Sequence, residues 1–143
     1  MSAVDILSVC FRCHPNTFRG ALNDRPGMRM ATELEQAVRQ SSFGGRIQVR
    51  AIRCMSQCKR PCTVAFSGSN KFTYLFGDLP GAEAALDVLA GIELYCSKPD
   101  GFMERNERPA LLQKSILFRL PPAQSEHTVF KSVAVAMASN LRE

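Results

Sequence analysis

One hundred and forty-three residues, 45% hydrophobic and 22% charged, fit one globular domain that can bury a core without cross-links. No apolar run approaches the ~20 residues that a membrane span needs. The net charge of +5 is spread along the chain with no dense Lys/Arg run among aromatics, so no nucleic-acid partner is expected; an acidic protein partner fits better.

Residues 4–9 form a β-rich run that delivers Cys10 at its carboxyl end. The next stretch, with Pro15, Asn16, Gly20, Asn23 and Asp24, reads as a loop. Asp24 before Pro26 predicts a capped helix start, and Met30, Leu34, Ala37 and Val38 recur at helical spacing until Gly44-Gly45. Ile47, Val49 and Ala51 alternate with Gln48 and Arg50, predicting a strand that delivers Cys54. Two further strands are predicted at 63–66 and 72–76, joined by the hairpin connection Ser67-Gly68-Ser69-Asn70. Asp78-Leu79-Pro80-Gly81 opens a second helix through Leu86, Leu89 and Ile92 to Tyr95.

The predicted order is β-α-β-β-β-α, an α/β mixed sheet with helices able to cover one face. A β-α-β crossover feeding a hairpin and a helix is the thioredoxin-like plan, in which ligands collect at strand carboxyl ends. Residues 1–97 are expected to make this domain, and residues 98–143 a C-terminal extension packed on it. Within the extension, 98–108 reads as a loop and 110–114 as a helical turn. Ile116, Phe118 and Leu120 alternate up to Pro121-Pro122, and Phe130, Ala134, Met137 and Leu141 suggest a terminal amphipathic helix.

The chemistry is concentrated in six cysteines. The amino-terminal residues carry no basic n-region, an apolar stretch interrupted by Asp5, and no cleavage pattern, so a cytoplasmic location is expected. In a reducing compartment, clustered cysteines point to metal or redox chemistry over disulfide stapling. Cys10-Phe11-Arg12-Cys13 and Cys54-Met55-Ser56-Gln57-Cys58 are spaced so that each pair can chelate from one loop. Together Cys10, Cys13, Cys54 and Cys58 would complete a tetrahedral zinc site or hold a [2Fe–2S] cluster. Arg12, Arg53, Lys59 and Arg60 flank them and would favour thiolate over thiol.

The segment from Cys54 to Pro61, after a strand and before Val64 and Phe66, resembles the second cysteine loop of thioredoxin-like [2Fe–2S] ferredoxins. The chain is still more similar to a bacterial family of small predicted metal-binding proteins of unknown function with that fold. The stretches that carry this are Val9-Cys10-Phe11-Arg12-Cys13, the Cys54–Cys58 loop with Cys62-Thr63-Val64-Ala65, and Lys71-Phe72-Thr73-Tyr74-Leu75-Phe76-Gly77. Ser97 to Gly101, Arg108-Pro109 and Arg119-Leu120-Pro121-Pro122 also fit, so the resemblance spans residues 4–122. It implies a cluster-bearing electron carrier or cluster-dependent accessory protein, not an enzyme, that meets an acidic redox or metal-handling partner. The ferredoxins space their first cysteine pair more widely and have no counterpart of Cys62, which stands as a fifth candidate ligand.

Two other classes use the same residues. A zinc-binding or metal-delivery module would need the same four thiolates. A dithiol oxidoreductase would use Cys10 and Cys13 alone; against it, Pro15 and Asn16 delay the helix that would acidify the first thiol, and Cys54 and Cys58 stay idle. Cys10-Phe11-Arg12-Cys13-His14 also matches the c-type haem pattern, which requires export. Cys96 reads as a buried small hydrophobe, and His14 and His127 as solvated loop residues. Phe66, Phe72, Tyr74 and Phe76 read as strand side chains on the core and its opposite face.

Overall fold

The computed structural model describes residues 4–125 and 129–140. Strands β1 (Asp5–Cys10), β2 (Ile47–Ile52), β3 (Val64–Ser67), β4 (Thr73–Phe76) and β5 (Ile116–Leu120) form one sheet in the order β2-β1-β3-β4-β5. The β1/β2 pair is parallel and the others are antiparallel. Helices α1 (Pro26–Gln40), α2 (Ala85–Ser97), α3 (Ala110–Lys114) and α4 (Val133–Asn140) complete the described elements, with short 3-10 turns between them. The predicted β-α-β-β-β-α order is present. Residues 116–120 of the extension join the same sheet as β5, and Pro121-Pro122 ends that edge strand.

Register explains the core. Leu7 faces Phe66, Val9 faces Val64, Phe66 faces Tyr74 and Val64 faces Phe76, so all six side chains lie on one side of the sheet. Phe72 falls on that same side by the two-residue repeat of β4. Phe66, Phe72, Tyr74 and Phe76 are therefore one aromatic layer and do not divide between two faces; each is fully buried. Tyr95 of α2 closes the layer, 5.7 Å from the Phe66 ring and 6.2 Å from that of Tyr74. Such ring pairs add about 0.5–1.5 kcal/mol each beyond their burial.

The helices depart from expectation in two places. Asp24 caps nothing: it lies in a 3-10 turn, Leu22–Asp24, and Arg25 occupies the N-cap position of α1 without a side-chain cap. Pro26 drives this, because the residue before proline is pushed to extended backbone, and Arg25 has ψ 143°. In α2 the buried stripe is Ala85, Val88, Ile92, Tyr95 and Cys96, while Leu86 is 78% exposed. One residue is 100° of helix rotation, enough to carry Leu86 off the core. α4 forms, yet Phe130 and Met137 of the expected stripe are 49% and 63% exposed. Leu141 and His127 lie outside the described residues.

At the start of β1, Asp5 Oδ2 receives Lys71 Nζ at 2.7 Å, with side chains only 5% and 12% exposed. The same ammonium donates to the Tyr95 carbonyl at 3.3 Å and lies 4.9 Å from the Tyr95 ring centre. Removing one partner of a buried pair strands the other charge. Asp5→Ala should therefore cost about 3 kcal/mol, seen as a lower urea midpoint at unchanged slope; the double replacement Asp5→Ala/Lys71→Met should recover most of the loss.

Candidate metal centre

The parallel register ends with Cys10 level with Ile52, so the loops after β1 and β2 leave the same end of the sheet. The first loop turns at once, with Phe11 N–H donating to the Ile52 carbonyl at 3.0 Å and Cys13 N–H to the Cys10 carbonyl at 3.4 Å. Helix α1 then fixes it. Gly27 N–H donates to the Cys13 carbonyl at 2.9 Å, and Arg25 Nη1 donates to the Arg12 carbonyl at 3.2 Å. A Cβ on Gly27 would stand 2.3 Å from the Cys10 carbonyl oxygen, so only glycine lets the helix approach this closely. In the second loop Ser56 takes φ 61°, which turns its N–H onto Cys54 Sγ at 3.3 Å.

Cys10, Cys13, Cys54 and Cys58 all line one cavity of about 270 Å³ at this end of the sheet. They form two pairs of different character. Cys10 and Cys13 are buried; Cys54 and Cys58 are exposed. Hydrogen bonding from the Cys13 thiol pulls the Cys10 pKa down to about 5, against the effect of burial and aided by Met55 and Arg12 backbone groups. Cys13 correspondingly keeps its proton, held by Cys10 and by burial, and its sulfur meets Thr63 Oγ1 at 3.5 Å. In the exposed pair, hydrogen bonding to Cys54 and the Cys54 charge raise Cys58. Among the described residues no group of three or more His, Cys, Asp or Glu side chains is arranged to hold a single ion.

The fifth and sixth cysteines stand apart. Cys62 is 1% exposed and does not line the cavity; it lies behind the first loop, its Sγ 3.8 Å from the Cys13 carbonyl. Burial, and then the Cys10 charge, push it up to about 11. Cys96 is buried beside Asp5, at the opposite end of β1 from Cys10, and burial raises it to about 12.

Of the four cations expected around the thiols, Arg12 and Arg53 line the cavity. Arg60 is committed to Asp78, its Nε 2.7 Å from Oδ2, and Lys59 does not line the cavity. Arg25 takes their place, and the partly exposed His14 also lines the cavity, with Nδ1 donating to the Pro15 carbonyl at 2.9 Å. Sequence reasoning missed Arg25, Gly27 and Thr63. For Gly27 a signal existed: glycine in the first turn of an otherwise regular helix is unfavourable unless close packing needs it.

The fold and the cysteine end can be set against known proteins. The chain belongs to the family described as "Protein of unknown function (DUF1636)", whose profile matches residues 7–122. No curated protein sequence matches it. Among solved structures it is similar to a thioredoxin-like [2Fe–2S] ferredoxin from Aquifex aeolicus, at 11% identity and a TM-score of 0.55. The match covers 87% of this chain and 99% of the ferredoxin. At that identity the likeness establishes a thioredoxin-like fold. Among the described residues no helix is long and apolar enough to cross a membrane.

Two outcomes follow for the metal-free, reduced protein. Its thiolate absorbance should show a titration near pH 5 from Cys10 that moves upward in Cys13→Ala, where the hydrogen bond is gone. Because the folded pKa lies below the ordinary thiol value of 9.0, this group stabilises the fold above pH 9 relative to acid. That contribution is lost as pH falls from 9 through about 5. Gly27→Ala should cost about 1–3 kcal/mol by overpacking against the Cys10 carbonyl, and amide NMR shifts should centre on the Cys10–Cys13 loop.

Proposed function

We propose that this protein carries a [2Fe–2S] cluster on Cys10, Cys13, Cys54 and Cys58 and serves as an electron carrier or cluster-dependent accessory to an acidic partner. The observation that carries this reading is the two-by-two arrangement of thiols around one cavity. A mononuclear zinc needs four donors converging on one point. A two-iron cluster instead takes two protein sulfurs at each iron, and each loop here offers one such pair. The donor chemistry fits: soft sulfur ligands, one already inclined to thiolate, with Arg12, Arg25 and Arg53 beside them to offset the anionic charge. The likeness in fold to a protein described as a [2Fe–2S] ferredoxin supports the same reading.

When bound, such a cluster supplies a one-electron couple. The protein's part is to hold it, tune it and present it. The Ser56 N–H on Cys54 Sγ is a hydrogen bond to sulfur, and the Thr63 hydroxyl, 3.5 Å from Cys13 Sγ, would donate a second once Cys13 is ionised as a ligand; such bonds raise a cluster's potential. The exposed Cys54–Cys58 loop is the side from which a partner would approach.

The second reading, dithiol exchange, is favoured by the Cys10–Cys13 pair, in which hydrogen bonding lowers the first thiol and raises the second. Anaerobic purification with absorption, EPR and metal analysis separates the readings. The cluster reading expects about two irons and two sulfides per chain and a reversible one-electron couple. Zinc without sulfide would replace it with the structural or delivery reading. A two-electron thiol–disulfide couple that survives in Cys54→Ala would favour the oxidoreductase.

Ligand replacement should follow the geometry. Cys54→Ala and Cys58→Ala should abolish stable metal binding, and Cys96→Ala should leave stoichiometry unchanged. Cys62→Ala should lower the yield of bound metal without abolishing it, because Cys62 packs behind Cys13; complete loss there would make it a ligand. Arg12→Glu with Arg53→Glu should make the reduction potential more negative and weaken partner association. Exposed charges are screened beyond about 8 Å at physiological salt, so reversing a remote arginine such as Arg39 should do neither.

A further inference from the structure

At the β5 edge of the sheet, the segment before α3, the end of α3 and strand β5 border an open cavity of about 570 Å³ that shares no residue with the cysteine site. Arg105, Arg108, Lys114 and Arg119 line it, together with Ile116 and Phe118. No carboxylate answers these cations among the described residues. The ion pairs found there are Arg39–Glu35, Arg60–Asp78, Lys71–Asp5 and Lys98–Glu107.

Arg108 is the informative member. It is only 6% exposed, and its Nη1 donates to the Leu112 carbonyl at 3.2 Å, while its Nε is buried with no hydrogen-bond partner. Burial, with the charges of Arg119 and Arg105, pushes its pKa down. A guanidinium taken out of water without an anion is costly, and an unmade bond at Nε adds to the cost. With Nη1 on the Leu112 carbonyl and Nε shut away from solvent, Nη2 is the group left to meet an oxygen of a carboxylate or phosphate.

We propose that this cavity binds a small molecule bearing a phosphate or carboxylate group. Arg108 meets the oxyanion through Nη2, and Arg105, Lys114 and Arg119 complete the charge. Ile116 and the half-exposed Phe118 offer the apolar wall along which a carbon skeleton would lie. Arg119 is already steadied for this role, its guanidinium 5.0 Å from the centre of the Phe102 ring. The proposal stands apart from the cluster reading, since the two sites share no residue.

The full chain as purified is titrated with inorganic pyrophosphate and, separately, with citrate at constant ionic strength, reading amide NMR shifts and thermal unfolding. Saturable shifts confined to residues 105–119, with a rise in the unfolding temperature, are expected. The stronger of the two ligands then distinguishes a phosphate from a carboxylate source. Arg105→Gln/Arg119→Gln keeps the buried Arg108 and should weaken binding at least tenfold. Arg108→Lys keeps the charge without the planar Nη2 donor and should weaken it similarly. Shifts that do not saturate for either anion, that centre on Arg12, Arg25 and Arg53, or that persist unchanged in the double variant would overturn the proposal.

Discussion

The parallel pairing of β1 with β2 is the constraint on which the cysteine end of the molecule depends. Two strands in parallel register finish together, so whatever follows each of them is delivered to one edge of the sheet. Cys10 is level with Ile52, and the residues that follow are the two cysteine loops. A parallel pair also demands a crossover, and α1 supplies it. Its first turn returns to the loop after β1, where Gly27 and Arg25 hydrogen-bond to the carbonyls of Cys13 and Arg12. The strand pairing brings the thiols together, and the crossover helix fixes half of them in place.

That helix bears on the electrostatics too. In sequence, α1 begins thirteen residues after Cys13, at Pro26. In space its amino terminus touches the loop. It brings Arg25, its N-cap residue, to the cavity beside Arg12 and Arg53, while its Gly27 N–H is spent on the Cys13 carbonyl.

The strands were legible because each carries an alternating or continuous apolar run bounded by turn residues, as in Val64 to Phe66 and Thr73 to Phe76. The pairing of cysteine spacing with strand ends likewise placed Cys10, Cys13, Cys54 and Cys58 in advance at one cavity. Side-chain direction was less legible. Leu86, Leu89 and Ile92 fit a helical repeat as well as Val88, Ile92 and Tyr95 do, and only packing against Phe66 and Tyr74 selects the second set. Asp24 satisfied a capping rule, but the pre-proline restriction on Arg25 shifted the start of the helix by one residue. Arg25 itself could not be foreseen at the thiols, since its role depends on where a twelve-residue loop brings the chain back.

The distribution of charge has a physical reading of its own. An excess of +5 spread evenly would add only solubility. Several cations have carboxylate partners, as Arg60 with Asp78 and Lys71 with Asp5, and seven of those without one border two cavities. Arg12, Arg25 and Arg53 border thiols, whose ionised sulfurs are their natural counter-charge. Arg105, Arg108, Lys114 and Arg119 border no anionic group of the described chain, and one of them is buried. Repulsion among neighbouring guanidinium groups and the desolvation of Arg108 both oppose folding. A stretch under selection for stability alone would place a carboxylate or an apolar side chain there. Among the described residues this group lacks a counter-charge, which is what the proposed anion would supply, whereas the first group has the cysteine sulfurs beside it.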